Sequence, residues 1–341
     1  MSVARRLPRQ RLRALLGGSA LLLLVVMALA PLAGSTQISL VQVWNDPLDW
    51  SNNPDAAIFF IARLPRVLLA CLVGASLALA GATFQSLLRN PLATPYTLGV
   101  SAGAMLASFL AMRFLPVALF AEMTIPAAAL AGALLTTAVV LGLATVRDDL
   151  PPTSLLLAGV TLNFSIGAVV LLLQYFSDYT ETARMVRWMM GDLDAVTYRM
   201  LLLVLVGSLP GWIALLRGAR SLNLLSLGAE EALAHGVDAP RVTRWSLLWA
   251  AWITGLAVAV AGPIGFVGII VPHAVRRVGG ADYRVILPTV AVAGGAFLVL
   301  CDTVARTVLA PVQLPIGVLT ACIGGPFFLL LLLRRGSFSG E

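Results

Sequence analysis

Apolar residues in this chain come in runs of about 20, long enough for a helix to cross a hydrocarbon core of about 30 Å, and short polar or basic segments separate them. Read as helices, the runs give ten spans at about residues 14–33, 64–88, 95–113, 124–146, 153–175, 199–216, 245–261, 264–276, 284–310 and 315–333. The pattern predicts an all-α polytopic membrane protein whose eighth span is unusually short. No linker, low-complexity block or long polar stretch divides it, so residues 1–341 read as one transmembrane domain, embedded from about 14 to 333.

Composition agrees, with 59% hydrophobic and 11% charged residues, against roughly 25% charged in an average soluble domain. All 23 basic residues are arginine. Without lysine the chain has neither a phosphate-loop GxxxxGK[ST] nor a Schiff-base nucleophile, so it is not expected to be its own nucleotide motor; an intramembrane enzyme would need buried catalytic carboxylates or a paired histidine motif, and neither is visible, so no enzyme is expected. The net charge of +7 belongs to the sides of a membrane and not to nucleic acid. With ten spans and a cytoplasmic N-terminus, only Arg63, Arg66, Arg113, Arg184, Arg187, Arg199 and Arg306 fall outside, beside acidic residues such as Asp55, Asp178, Glu181 and Asp192. The positive-inside rule therefore places both termini in the cytoplasm. The basic start and the run after Leu21 imitate a secretory signal, but the whole stretch is span-length and reads as a retained first span.

Cys71, Cys301 and Cys322 lie in apolar stretches and read as core fillers. His273 and His235 are the only histidines; the first reads as a structural hydrogen-bonding group and the second as a surface residue, so no metal site is expected. A faint echo pairs Leu77-Ala-Leu-Ala-Gly81 and Pro91 with Val258-Ala-Val-Ala-Gly262 and Pro272, at the same spacing; an internal repeat and chance explain it equally well.

Two ordered sets of motifs carry more. The first is Arg63-Leu-Pro-Arg66, Gly81, Gln85, Arg89-Asn-Pro-Leu-Ala93, Pro95, Leu98-Gly99 and Ser101-Ala-Gly-Ala104. Asn90-Pro91 stops a helix at a membrane face, and small residues then re-enter the bilayer. The second is Ala261-Gly-Pro-Ile-Gly-Phe-Val-Gly268, Val271-Pro-His273, Asp282-Tyr-Arg284, Asp302, Arg306, Leu314-Pro-Ile-Gly317 and Gly324-Gly-Pro-Phe327. With Leu157-Ala-Gly-Val-Thr-Leu-Asn163 and Trp188-Met-Met-Gly191, these resemble the FecCD permeases over about residues 15–335. Those are membrane subunits of binding-protein-dependent ABC importers for iron siderophores, haem and cobalamin. Gln313 departs from the family, which usually has glutamate there.

The resemblance implies a type II ABC importer permease architecture. Two copies of the chain would form the pathway in a bacterial inner membrane. Two ATPase subunits would hold the ATP and magnesium, and this chain would bind no cofactor itself. A periplasmic binding protein would deliver an iron chelate, haem or ferric siderophore, with cobalamin as the alternative. Arg63, Arg66 and Arg306 would receive its glutamates, although snorkelling or local pairing, as of Arg306 with Asp302, is the competing reading. Asn90 and Leu92, with Thr153 and Ser154, would form a cytoplasmic gate. Within residues 217–244, Leu227, Gly228, Glu230, Ala232 and Gly236 would couple to the ATPase, on a short helix over residues 229–235. An ion-driven secondary transporter is the remaining rival, and Asp302 its one acidic candidate within a span.

Overall fold

The computed structural model describes residues 9–45, 47, 50–115, 121–144, 152–193 and 196–336, and every regular element among them is helical. Arg5, Arg6 and Arg147, counted on the basic side, lie outside these residues. The elements are α1 (Arg9–Leu29), α2 (Leu40–Asn45), α3 (Pro54–Ala57), a π-helical turn (Ile58–Arg63), α4 (Leu64–Leu87), a 3₁₀ turn (Pro95–Leu98), α5 (Val100–Phe114), α6 (Ala121–Ala144) and α7 (Pro152–Tyr175). They continue as α8 (Tyr179–Met189), α9 (Tyr198–Arg217), α10 (Ala219–Leu227), α11 (Ala229–Ala234), α12 (Ala239–Ala261), α13 (Val267–Gly279), α14 (Tyr283–Thr307) and α15 (Ile316–Gly336).

Each of the ten apolar runs falls on a helix, but the helices are not equivalent. Among the described residues six are long and apolar enough to cross a membrane: Pro54–Leu87, Met123–Leu143, Pro152–Tyr175, Tyr198–Arg217, Ala239–Ala261 and Tyr283–Thr307. Shorter apolar stretches lie on α1, α5 and α15. The eighth run is helical as α13, whose 13 residues rise about 20 Å, less than the bilayer core.

Helix α4 is the centre of the molecule. In its most apolar window 83% of residues are buried, against 17% for α7 and 22% for α9, which face outward. Small residues let backbones meet: a Cβ on Gly74 would overlap the Gly294 carbonyl of α14, and one on Gly81 the Gly268 carbonyl of α13. Gly81 lies within α4 and Pro91 in a turn, whereas Gly262 caps α12 and Pro272 lies within α13. The two halves of the sequence echo thus stand at different positions relative to their helix ends.

Polar interruptions at depth are satisfied by side chains. The Tyr96 hydroxyl donates to Ile264 O at 2.6 Å and accepts from Ile264 N at 2.9 Å, while Asn163 Nδ2 donates to Tyr96 O at 2.8 Å. Gln85 Nε2 donates to Gly268 O at 2.8 Å. These bonds tie the 3₁₀ turn, α7 and the break between α12 and α13, meeting the requirement that buried backbone groups find partners in an apolar medium.

Candidate functional site

Three regions carry the residues singled out by sequence. At one end of α4 and α14, Asp302 is fully buried and held by two arginines: Arg66 Nε lies 2.8 Å from Oδ1 and Arg306 Nε 2.9 Å from Oδ2. Arg66 Nη1 also donates to Gln313 Oε1 at 2.7 Å. Arg306 continues to Ala33 O at 3.0 Å and Ala30 O at 3.2 Å, and Arg63 donates to Pro31 O, Leu32 O and Thr36 O. The three arginines are only 5–6% exposed and fix the connection after α1 to α4 and α14. Local pairing of Arg306 with Asp302 is what the structure shows, and a partner's glutamate at Arg66 or Arg306 would share the guanidinium with Asp302. Asp302 is locked in this bridge, which suits it poorly to carrying an ion through the membrane.

At the second region, three motifs distant in sequence meet at backbone contacts. Asp192 N donates to Ala261 O at 2.9 Å, and Gly317 N donates to Met190 O at 3.1 Å. Gly262 has φ 66°, and a Cβ there would lie 2.5 Å from Trp188 O, so glycine is required both by conformation and by contact. Beside this crossing lies an open recess of about 660 Å³, lined by Gln174, Val186, Met189, Met190, Pro263, Gly317, Val318, Ala321 and Cys322. A second cavity of about 170 Å³ adjoins it through Met190 and is lined by Arg66, Arg187, Met190, Gly191, Asp192, Gln313, Leu314 and Pro315.

The third region is at the opposite end of α4. There an open recess of about 650 Å³ is bordered by Leu87, Arg89, Pro152, Leu225, Leu227, Gly228, Ala229, Glu230, Glu231, Ala239, Pro240 and Thr243. Asn90 Oδ1 accepts from Leu92 N at 2.9 Å, and Leu92, Thr153 and Ser154 are exposed. Gly228, at φ 151° and ψ 155°, breaks the chain between α10 and α11, and Gly236, at φ 76°, ends the turn after α11. Leu227 and Leu233 are 71% and 70% exposed, and Glu230 and Glu231 are exposed beside them. Ala232 differs from the expectation: it is fully buried and packs into the core of its own chain, so its side chain is not offered to a partner. The segment is anchored by Asn223, whose Nδ2 donates to Asp282 Oδ1 at 2.7 Å and whose Oδ1 accepts from Tyr283 N at 2.8 Å. Hydrogen bonds from Arg284 first, and then from Asn223, push the Asp282 carboxyl down to about 2.

His273 stacks edge-on against Phe327 with ring centroids 6.1 Å apart, and exposed His235 meets Glu231 O through Nδ1 at 2.9 Å. No group of three or more metal-ligating side chains occurs among the described residues. Cys301 is buried and Cys71 half-buried, but Cys322 is exposed on the wall of the larger recess and is no core filler in this chain. The sequence reading missed α8 altogether. Its signal was present: Asp178 accepts from Glu181 N at 2.7 Å, an N-cap followed by an amphipathic helix with Met185 inward.

The sequence model of the FecCD transport family matches residues 21–334. The hemin transport system permease protein HmuU of Yersinia pestis is 41% identical over 93% of this chain and 95% of its own. The vitamin B12 import system permease protein BtuC of Escherichia coli strain UMN026 is 39% identical over 98% of this chain and 99% of its own. A solved structure of a metal-chelate type ABC transporter in an inward-facing conformation matches with a TM-score of 0.81 at 31% identity, covering 95% of this chain and 99% of that one.

Proposed function

Because the chain belongs to the FecCD transport family, and is therefore an integral membrane permease of the ABC importer class, we propose that it carries an iron chelate inward. The observation that carries this reading is the agreement of the fold, over nearly its whole length, with a metal-chelate type transporter. Haem stands first as cargo, on the similarity to HmuU; a ferric siderophore is the nearest alternative and cobalamin, on the similarity to BtuC, the next.

In this proposal two copies of the chain enclose the pathway, with both termini cytoplasmic and ten membrane-embedded helices. Two partner ATPases supply the lysine-bearing nucleotide sites that a chain with no lysine lacks. They bind at the recess beside α11 through exposed Leu227, Leu233, Glu230 and Glu231, with Gly228 and Gly236 setting the path of the backbone. Asn90, Leu92, Thr153 and Ser154 stand at the same cytoplasmic side and close the pathway there. A binding protein docks at the opposite face. Arg63, Arg66 and Arg306 act as a rigid positive platform: Arg66 and Arg306 share the single charge of Asp302, and Arg63, with Asp55 near it, is held by the carbonyls of Pro31, Leu32 and Thr36. The platform attracts acidic residues through its field, and its internal bonds hold the charges in place.

The test is ATP-driven uptake into proteoliposomes containing the permease and its ATPases, with the binding protein added outside, comparing hemin, a ferric hydroxamate and cyanocobalamin. Uptake of an iron chelate that ends when ATP is omitted is expected. Uptake of cyanocobalamin alone overturns the cargo assignment, and uptake driven by an ion gradient without ATP overturns the importer reading.

A further inference from the structure

One face of α9 is exposed along its whole length. Leu202, Val206, Leu209, Ile213 and Leu216 follow one another at helical spacings of four and three, and all are aliphatic. In an integral membrane protein such a face suits lipid chains. The next residues at the same spacings are Arg217, four after Ile213, and Arg220, four after Leu216, and both are exposed. Gly218 does not interrupt the path: its N donates to Ala214 O and its O accepts from Leu222 N, each at 3.0 Å, so helical hydrogen bonding continues into α10. The stripe therefore changes from apolar to basic without leaving its face.

Helix α12 packs antiparallel to α9. A Cβ on Gly207 would meet Leu256 and one on Gly211 would meet Ile253, while Trp252 Nε1 donates to Gly207 O at 2.8 Å. Continuing this register brings the end of α9 to the first turns of α12, where Arg241, Arg244 and Trp245 are exposed. At about 100° per residue, Arg241 and Trp245 share one side of α12 with Arg244 next to them. Ala239, Pro240 and Thr243 instead border the recess that also takes in Glu230 and Glu231. The basic face is thus separate from the recess assigned to the ATPase. None of the four arginines forms an ion pair with a carboxylate among the described residues.

We infer that Arg217, Arg220, Arg241, Arg244 and Trp245 bind the headgroup of an anionic phospholipid whose chains lie along the exposed face of α9. The planar arginine fork fits the oxygens of a phosphate, and the tryptophan ring suits the boundary between headgroup and chain. A water-soluble acidic partner would use the charges but not the aliphatic stripe that runs into them. Arginines that only held a loop on one side of the membrane during insertion would need neither the tryptophan nor a common face. The leaflet is that on the side of α11, cytoplasmic in the topology proposed above, and on this point the inference rests on that reading.

The experiment is native mass spectrometry of the permease with its ATPases in detergent, titrated with dioleoyl phosphatidylglycerol or dioleoyl phosphatidylcholine. Wild type should bind phosphatidylglycerol at least twentyfold more tightly, since one basic residue near an anionic surface is worth about fivefold and at least two act together. Arg217→Gln with Arg241→Gln should remove that difference by weakening phosphatidylglycerol alone. Arg217→Lys with Arg241→Lys should keep most of it, and Trp245→Ser should weaken both lipids. Arg113→Gln, which breaks an exposed pair between α5 and α8, should change neither. Equal binding of the two lipids by wild type, or a glutamine pair that binds as wild type does, overturns the site. ATPase lost from the glutamine pair while phosphatidylglycerol binding stays at the wild-type level shows a protein contact instead, and overturns it as well. Topology is read separately. Arg220→Cys, in a background lacking Cys71, Cys301 and Cys322, should react with an impermeant maleimide only from the cytoplasmic side of membrane vesicles. Reaction from the other side refutes the proposed topology, whereas the difference between the two lipids decides the binding site whichever leaflet it faces.

Discussion

Gln313 lies 2.7 Å from Arg66, offering Oε1 as an acceptor without adding charge. The geometry of a hydrogen-bonded partner is kept while the arginine platform remains more positive than it would be with glutamate. Gln313→Glu is therefore expected to slow the association of an acidic binding protein several-fold at low ionic strength, with the difference shrinking as salt screens it. Stopped-flow association at two salt concentrations measures this; an unchanged rate at low salt would show that the platform does not steer the partner.

Asp302 is the counterion for both Arg66 and Arg306, and all three are buried. Removing one member of such a set leaves charge uncompensated, which costs about 3–5 kcal/mol. Asp302→Asn should lower the unfolding temperature of the purified permease markedly, and Arg306→Gln added to it should recover part of the loss. Thermal unfolding of the single and double variants in one detergent decides the matter.

Ala232 and Leu233 are neighbours with opposite environments, one fully buried and the other 70% exposed. Ala232→Trp forces a large ring into a packed core, at about 1–3 kcal/mol or more, and should reduce folded protein in the membrane. Leu227→Ser with Leu233→Ser should leave the permease folded and weaken ATPase capture at least severalfold. Co-purification of the ATPase, normalised to folded permease, separates the two effects.

The Asp282 carboxyl, held near 2 by Arg284 and Asn223, ties α10 to the start of α14. Its folded value is depressed from about 3.9, so its contribution to stability is fully present above that value and is lost as pH falls through about 2. The difference in melting temperature between wild type and Asp282→Asn should be constant from pH 7 to 5 and narrow between pH 4 and 2. A difference that stays level to pH 2 would show that the carboxylate's charge is not what matters.

Leu92 and Thr153 are both exposed, close in sequence to Arg89 and Pro152, which border one recess. If they close a pathway about a twofold axis, cysteines at these two positions, in a background lacking Cys71, Cys301 and Cys322, should crosslink between copies with a yield that changes when ATP is bound. Yield is read on a non-reducing gel, and failure in every nucleotide state removes the gate assignment.

Hydrophobic length marked α4, α6, α7, α9, α12 and α14 directly, because burial in lipid demands apolar side chains over a fixed distance whichever neighbours surround them. The break at Asn90-Pro91 was legible for a similarly local reason, since proline restricts the residue before it. Ala232 was not: alanine suits a buried face and a partner-facing one equally, and only the packing of α11 against α10 and α12 assigns it. Helix α8 was missed for a different reason: it is too short and too polar for a span, so a search by hydrophobic length passes over its N-cap and amphipathic pattern.

By itself, then, the sequence determined an all-helical membrane protein, the absence of a lysine-based nucleotide site and the motifs of a permease, all properties of residue type and local spacing. Only the tertiary structure decided that Arg66 and Arg306 share Asp302, separated from Arg66 by 236 positions, and that Trp188-Met-Met-Gly191, Gly262 and Gly317 meet beside one recess. Such contacts depend on how the helices pack side by side, and backbone approaches permitted by glycine leave no periodic signal along the chain.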